Sequence, residues 1–109
     1  MATFSKEFLS ASTNGLPIKV AATATLGTTI HTAVAGTSSK DLVELYAHNT
    51  HTTDVELTIE YGGAAYPLII TIPFKAGTVL VIPKWPLQNG LVVTAFASIA
   101  NVIFISGLS

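Results

Sequence analysis

Cysteine is absent from the 109 residues, and so is arginine. Without cysteine there is no disulfide framework and no thiolate metal site, so the fold must be held by burial. A cysteine-free chain also suits synthesis in the cytosol. The five basic residues are all lysines (Lys6, Lys19, Lys40, Lys75 and Lys84), scattered singly, and the net charge is -1. A phosphate-tracking surface needs clustered Lys or Arg, and Arg is the side chain best suited to bidentate phosphate or guanine contacts; no nucleic-acid partner is expected. Lys6 and Glu7 interrupt the apolar core that a secretion signal would need. No run reaches about 18 uncharged apolar residues, so neither a signal segment nor a membrane partner is expected.

Charge itself is scarce. Only 10% of the residues are Asp, Glu, Lys or Arg, against about 25% in an ordinary soluble domain. A single domain of this length has much surface for its volume, so part of its exterior must be neutral or apolar. Such surfaces are usually covered by another protein or by a copy of the same chain. A homo-oligomer or docked subunit is expected.

What the chain has in abundance is short β-branched runs punctuated by Gly, Pro and Asn. Residues 1–16 read as an N-terminal arm closing at the Asn14-Gly15 turn signal, with residues 17–109 as the domain. Phe4, Phe8 and Leu9 are candidate anchors of the arm on a neighbouring subunit; the alternative is that they staple the arm to its own core. Strands are predicted at residues 18–25 (IKVAATAT) and 28–35 (TTIHTAVA). In residues 42–48, Val43, Leu45 and Ala47 share one face and Glu44, Tyr46 and His48 the other. Residues 54–61 repeat the logic, with Val55, Leu57, Ile59 and Tyr61 inward and Glu56, Thr58 and Glu60 outward. The polar link 49–53 predicts that these two strands form an antiparallel hairpin.

Residues 66–72 (YPLIITI) and 78–82 (TVLVI) read as strands buried on both faces, and Pro67 places the first at an edge or at its own start. Residues 84–90 read as a loop carrying Trp85, the sole tryptophan, and residues 91–97 and 102–106 as a second hairpin. About eight short strands with no helical period predict an all-β domain, a small antiparallel β-sandwich or jelly-roll-like barrel.

No catalytic, metal or cofactor residues are assigned. His31, His48 and His51 lack the spacing of a ligand set. Glu44, Glu56 and Glu60 are expected on solvated strand faces, where no cleft would tune a carboxyl for acid–base work. The Gly-x-Ser-x-Gly elbow and the phosphate-binding glycine motifs are missing. Trp85 either binds a partner, as loop aromatics often do, or caps the open end of the sandwich.

The phrases LPIKVAATATLGTTIHTAVAGTSS, LVELYAHNTHTTDVELTIEYGG, TIPFKAGTVLVIP and LQNGLVVTAFASIANVIFISG resemble small virion structural proteins of tailed bacteriophages. The likeness spans most of residues 16–106 in texture and phrase order, and carries no functional residue over. It implies a capsid decoration or cement protein on the outer capsid surface, made in the host cytoplasm, whose partners are the major capsid protein and copies of itself. Two other roles stand beside it: a tail, baseplate or neck component, and a carbohydrate-binding or adhesion module with Trp85 or Tyr66 stacking on a sugar ring.

Overall fold

Rows of apolar side chains at every second residue make strands that bury one face, and two such faces satisfy one another by stacking. The computed structural model, which describes residues 9–12 and 14–108, contains eight strands. They are β1 (Ile18–Lys19), β2 (Thr28–Thr32), β3 (Asp41–Asn49), β4 (Val55–Tyr61), β5 (Pro67–Ile72), β6 (Val79–Leu87), β7 (Val92–Ala97) and β8 (Ile103–Leu108). No helix occurs among the described residues.

One sheet has the order β1-β8-β3-β6 and the other β2-β7-β4-β5, and every pairing is antiparallel. The first strand pairs with the last, the second with the seventh, the third with the sixth and the fourth with the fifth. This nesting is the jelly-roll form of the β-sandwich.

The core lies between the sheets. Val43, Leu45 and Ala47 of β3 face it from one side, with Ile103 and Ile105 of β8. Val55, Leu57 and Ile59 of β4 face it from the other, with Val93, Ala95 and Ala97 of β7; all are fully buried. Each Leu, Ile or Val so removed from water contributes about 1.5–3 kcal/mol before the entropic cost of ordering the chain.

The inward rows of β3 and β4 fall as their alternation predicts, but the two strands do not form a hairpin. They lie in different sheets, and the link after Asn49 carries the chain across the sandwich. Alternation tells which residues face the core, and it is satisfied equally by a lateral partner or by one stacked opposite. β7 and β8 are separated in the same way. Among the described residues the one hairpin with a short connection is β4–β5, which turns at Gly62 and Gly63.

Three further expectations are corrected. β5 is buried on one face only, with Pro67, Ile69 and Thr71 exposed; its place at the edge of the sheet is one that Pro67 allowed. β6 does not stop at Pro83 but runs through Pro86 to Leu87, so Trp85 sits on a strand. An edge strand tolerates both prolines because one side of its backbone has no ladder to complete. Finally, only Ile18–Lys19 of residues 18–25 is strand; the chain after Val20 forms a crossing loop.

The Asn89-Gly90 signal does make a tight turn. Both residues adopt positive φ, 64° and 67°, and the Leu91 N–H donates to the Gln88 carbonyl at 3.3 Å. Asn and Gly adopt that conformation at least cost.

Leu57 and Leu80 separate core from edge. Leu57→Ala should lower the stability measured by chemical denaturation by about 2–5 kcal/mol. Leu80, which the sequence places in a doubly buried run and the structure leaves 51% exposed, should change it by no more than about 0.5 kcal/mol when replaced by Ala.

Candidate functional site

Two polar clusters and one apolar rim stand out from the aliphatic core. The first cluster pins the sheets together at the end of the sandwich where β3 begins. His31 of β2 is buried, and its Nε2 lies 2.7 Å from Asp41 Oδ2 on β3 in the opposite sheet. The Val34 N–H donates to the same carboxylate oxygen at 3.2 Å. His31 Nδ1 accepts the Ser10 N–H at 2.9 Å, so the ring proton sits on Nε2 and points at Asp41.

Serine, histidine and aspartate thus meet, but not as a nucleophile and its base. The Ser10 hydroxyl accepts the Thr32 N–H at 2.7 Å. Neither ring nitrogen is left to receive a hydroxyl proton. The cluster ties the segment before β1 to both sheets.

The second cluster is Glu60, which the sequence assigns to a solvated face. The structure buries it to 1% exposure beneath the loop that precedes β2. Its carboxylate accepts hydrogen bonds from the Thr25 hydroxyl, from the Gly27 N–H at 2.8 Å and from the Thr94 hydroxyl at 2.7 Å. Burial pushes the carboxyl pKa up, yet the three donors outweigh it and hold the group below the usual carboxylate range. The loop comes this close because Gly27 lacks a side chain: a Cβ there would overlap the Ala95 backbone. Glu44 and Glu56 do not join it. Glu44 lies on the outer face of one sheet, Glu56 and Glu60 on the outer face of the other.

The histidines are dispersed as well. His48 stacks on Phe104, 5.4 Å between ring centres and 8° from parallel. His51 follows β3, roughly 25 Å along the strand from Asp41 and His31 at about 3.3 Å per residue. Among the described residues no three His, Asp or Glu side chains gather as metal ligands.

The rim is built where β6 faces the end of β4. Val43 and Trp85 are register partners, so Trp85 leans toward the opposite sheet. There its ring meets Tyr61 edge-on, 5.4 Å between centres, and the Tyr61 hydroxyl donates to the Trp85 carbonyl at 2.7 Å. Burial, with the Asp41 charge behind it, pushes the Tyr61 hydroxyl up to about 12, so it stays a donor well into alkaline solution. Trp85 nevertheless remains 40% exposed. Leu42, Leu91 and Tyr66 are exposed as well; Leu42 is the register partner of Pro86 and faces the outer side of its sheet. Beside them lies a shallow open depression of about 280 Å³ lined by Lys40, Pro86, Leu87, Gln88 and Leu91. The depression has one charged residue and no convergent polar set.

Of the anchors proposed from sequence, Phe4 and Phe8 lie outside the described residues. Leu9 is corrected: it is 1% exposed and belongs to the domain's own core, and Ala11 continues the tie by donating its N–H to the Ile30 carbonyl at 3.3 Å. Trp85 is on the surface as proposed, but as part of a strand and braced by Tyr61. Sequence reading missed Glu60 and the His31–Asp41 link, whose partners are 33 to 35 and 10 residues away along the chain. No protein-family model, curated protein or solved structure matches the chain.

The Glu60 cluster sets a pH dependence of stability. A carboxyl held lower in the folded than in the unfolded chain stabilises above its ordinary value of 4.5, and that contribution is lost as pH falls through the folded value. Glu60→Gln should therefore be less stable than the parent at pH 7. The gap between their denaturation midpoints should shrink on acidification below about pH 4.5; a gap constant with pH would mean the charge of Glu60 is not what the donors hold.

Proposed function

We propose that this chain is a structural virion protein of a tailed bacteriophage, a capsid decoration or cement subunit seated on the outer capsid, partnered by the major capsid protein and by copies of itself. The observation that carries the reading is the exposure of large apolar side chains, Leu42, Trp85 and Leu91 among them, on a chain with too little charge to solvate its whole exterior. Exposed aromatic and aliphatic side chains with no more than a shallow depression among them suit a protein surface better than a small substrate, which needs a deeper pocket and placed polar groups.

Two further considerations support it. The texture and phrase order of residues 16–106 resemble those of such virion proteins, and the jelly roll is an architecture used by viral capsid domains. The fold alone assigns nothing, since lectins use it as well. Cementing acts by repetition: a modest interface at each lattice junction, multiplied over the shell, stabilises the whole without any single contact being tight.

A glycan-binding role is the second reading, favoured by the Tyr66 ring, which is 68% exposed. A glycan array separates the two.

The test is co-sedimentation of the purified chain with phage capsids and the number of copies bound. Saturation at the stoichiometry of the shell lattice is expected; a ring-like number would move the subunit to the tail or neck, and no binding would remove the virion role. Trp85→Ala should keep the fold, because the Tyr61 hydroxyl bonds to the backbone of residue 85, and should weaken capsid binding at least about tenfold, the loss of about 1.4 kcal/mol. Unchanged binding would take Trp85 out of the interface.

A further inference from the structure

A β-sandwich of two four-stranded sheets has four edges, and three of these are blunted. β1 is two residues long. The outer side of β2 is taken by residues 10 and 11: the Ala11 N–H reaches the Ile30 carbonyl, and the Ser10 hydroxyl accepts the Thr32 N–H. β6 carries Pro83, Lys84 at a φ of 58° and Pro86, with two register shifts against β3. Prolines, charges and bulges are what keep an edge from pairing with a stranger.

β5 has none of these between Leu68 and Ile72. No charged residue occurs anywhere between Glu60 and Lys75, and Ile69 is 58% exposed. Which of its backbone groups are free follows from the ladder. The Gly62 N–H donates to Val92 and the Ser98 N–H to Glu56, so the even-numbered residues of β4 bond to β7. The odd-numbered ones then bond to β5, as Tyr61 does through the Tyr66 carbonyl at 3.1 Å. With Ile59 opposite Leu68 and Leu57 opposite Ile70, the inward ladder uses Leu68, Ile70 and Ile72. The amides of Ile69 and Thr71 therefore point away from the sheet, framed by Pro67 and Pro73, which have no N–H to leave unpaired.

We infer that β5 is a pairing edge for a second copy of this chain, joined antiparallel about a two-fold axis at Ile70. In that register Ile69 and the partner's Thr71 exchange both N–H···O bonds, and so do Thr71 and the partner's Ile69. All four of these amides, which have no partner among the described residues, are satisfied by the same short segment. The arrangement is isologous, as most homodimers are, and brings no charge against its own copy. It also draws together the exposed rings of Tyr66 and the partner's Phe74 at each end. An edge of six residues suits a concentration-dependent dimer rather than an obligate one. The inference deepens the homo-oligomer part of the proposed function and rests on that part only.

Sedimentation of the full chain over a concentration series, with amide exchange followed by NMR, tests it. A monomer–dimer equilibrium is expected, with the Ile69 and Thr71 amides exchanging fast when dilute and slowly when concentrated. Ile69→Lys and Thr71→Pro should each weaken the dimer at least about tenfold. Leu80→Lys, on the exposed outer face of the other sheet, should leave it intact. A chain that stays monomeric, or a dimer indifferent to Ile69→Lys while the fold is retained, overturns the pairing. Protection of these two amides only on a capsid would also overturn it, and would give the edge to a strand of another protein. The virion role is judged separately: a dimer that never binds particles removes that role and keeps the pairing, and a monomer that binds them does the reverse.

Discussion

The two apolar rows that face each other across the sandwich are the constraint from which the rest follows. With no cysteine, and no ligand set among the described residues to staple it, the chain has burial as its main source of stability. β3, β4, β7 and β8 supply the inward rows that are wholly shut from water, and they are the inner strands of the two sheets. The strands outside them are correspondingly free to be short, bulged or proline-bearing. Polar groups are admitted only where the chain passes over an end or a face of the stack, and there every one is answered: among the described residues no buried side-chain polar atom lacks a hydrogen-bond partner.

This arrangement deepens the scarcity of surface charge. Of the six carboxylates in the chain, Glu60 is turned inward to hold the loop before β2, and Asp41 joins β3 to His31 and Val34. Charge that a composition count would assign to the exterior is engaged in internal hydrogen bonding. The exterior is thus poorer in charge than the sequence suggests, which is why apolar groups such as Leu42, Ile69 and Leu91 stand in water with few charged neighbours to screen them.

Periodicity of two made the inward rows of β3 and β4 legible residue by residue, and Asn89-Gly90 declared its turn. Strand partnership was not legible, because Val43, Leu45 and Ala47 would be equally buried beside β4 or beneath it. The burial of Glu60 is hidden for a related reason. Its parity is outward, and parity cannot tell that a loop from 35 residues earlier folds over that face; Gly27, which permits the approach, looks like any turn glycine in the sequence. Pro83 and Pro86 point to a loop at Trp85 because they break central strands, whereas at an edge they break nothing. Pro67 was informative for the same reason, since it did announce an edge.

Edges also decide how far association can go. Two permissive edges on one subunit would let each copy add to the last, and the result would be a fibre rather than a closed assembly. Here the side of the sandwich that carries β5 also carries β6, whose Pro83, Lys84 and Pro86 interrupt any ladder a neighbour could continue. On the far side β1 is too short and β2 is already covered. A single open edge, used up symmetrically, closes at two. Trp85 and Leu91 lie outside that pairing and present side chains rather than free backbone groups, so under the proposed function the subunit would bind its copy and its support by different chemistry.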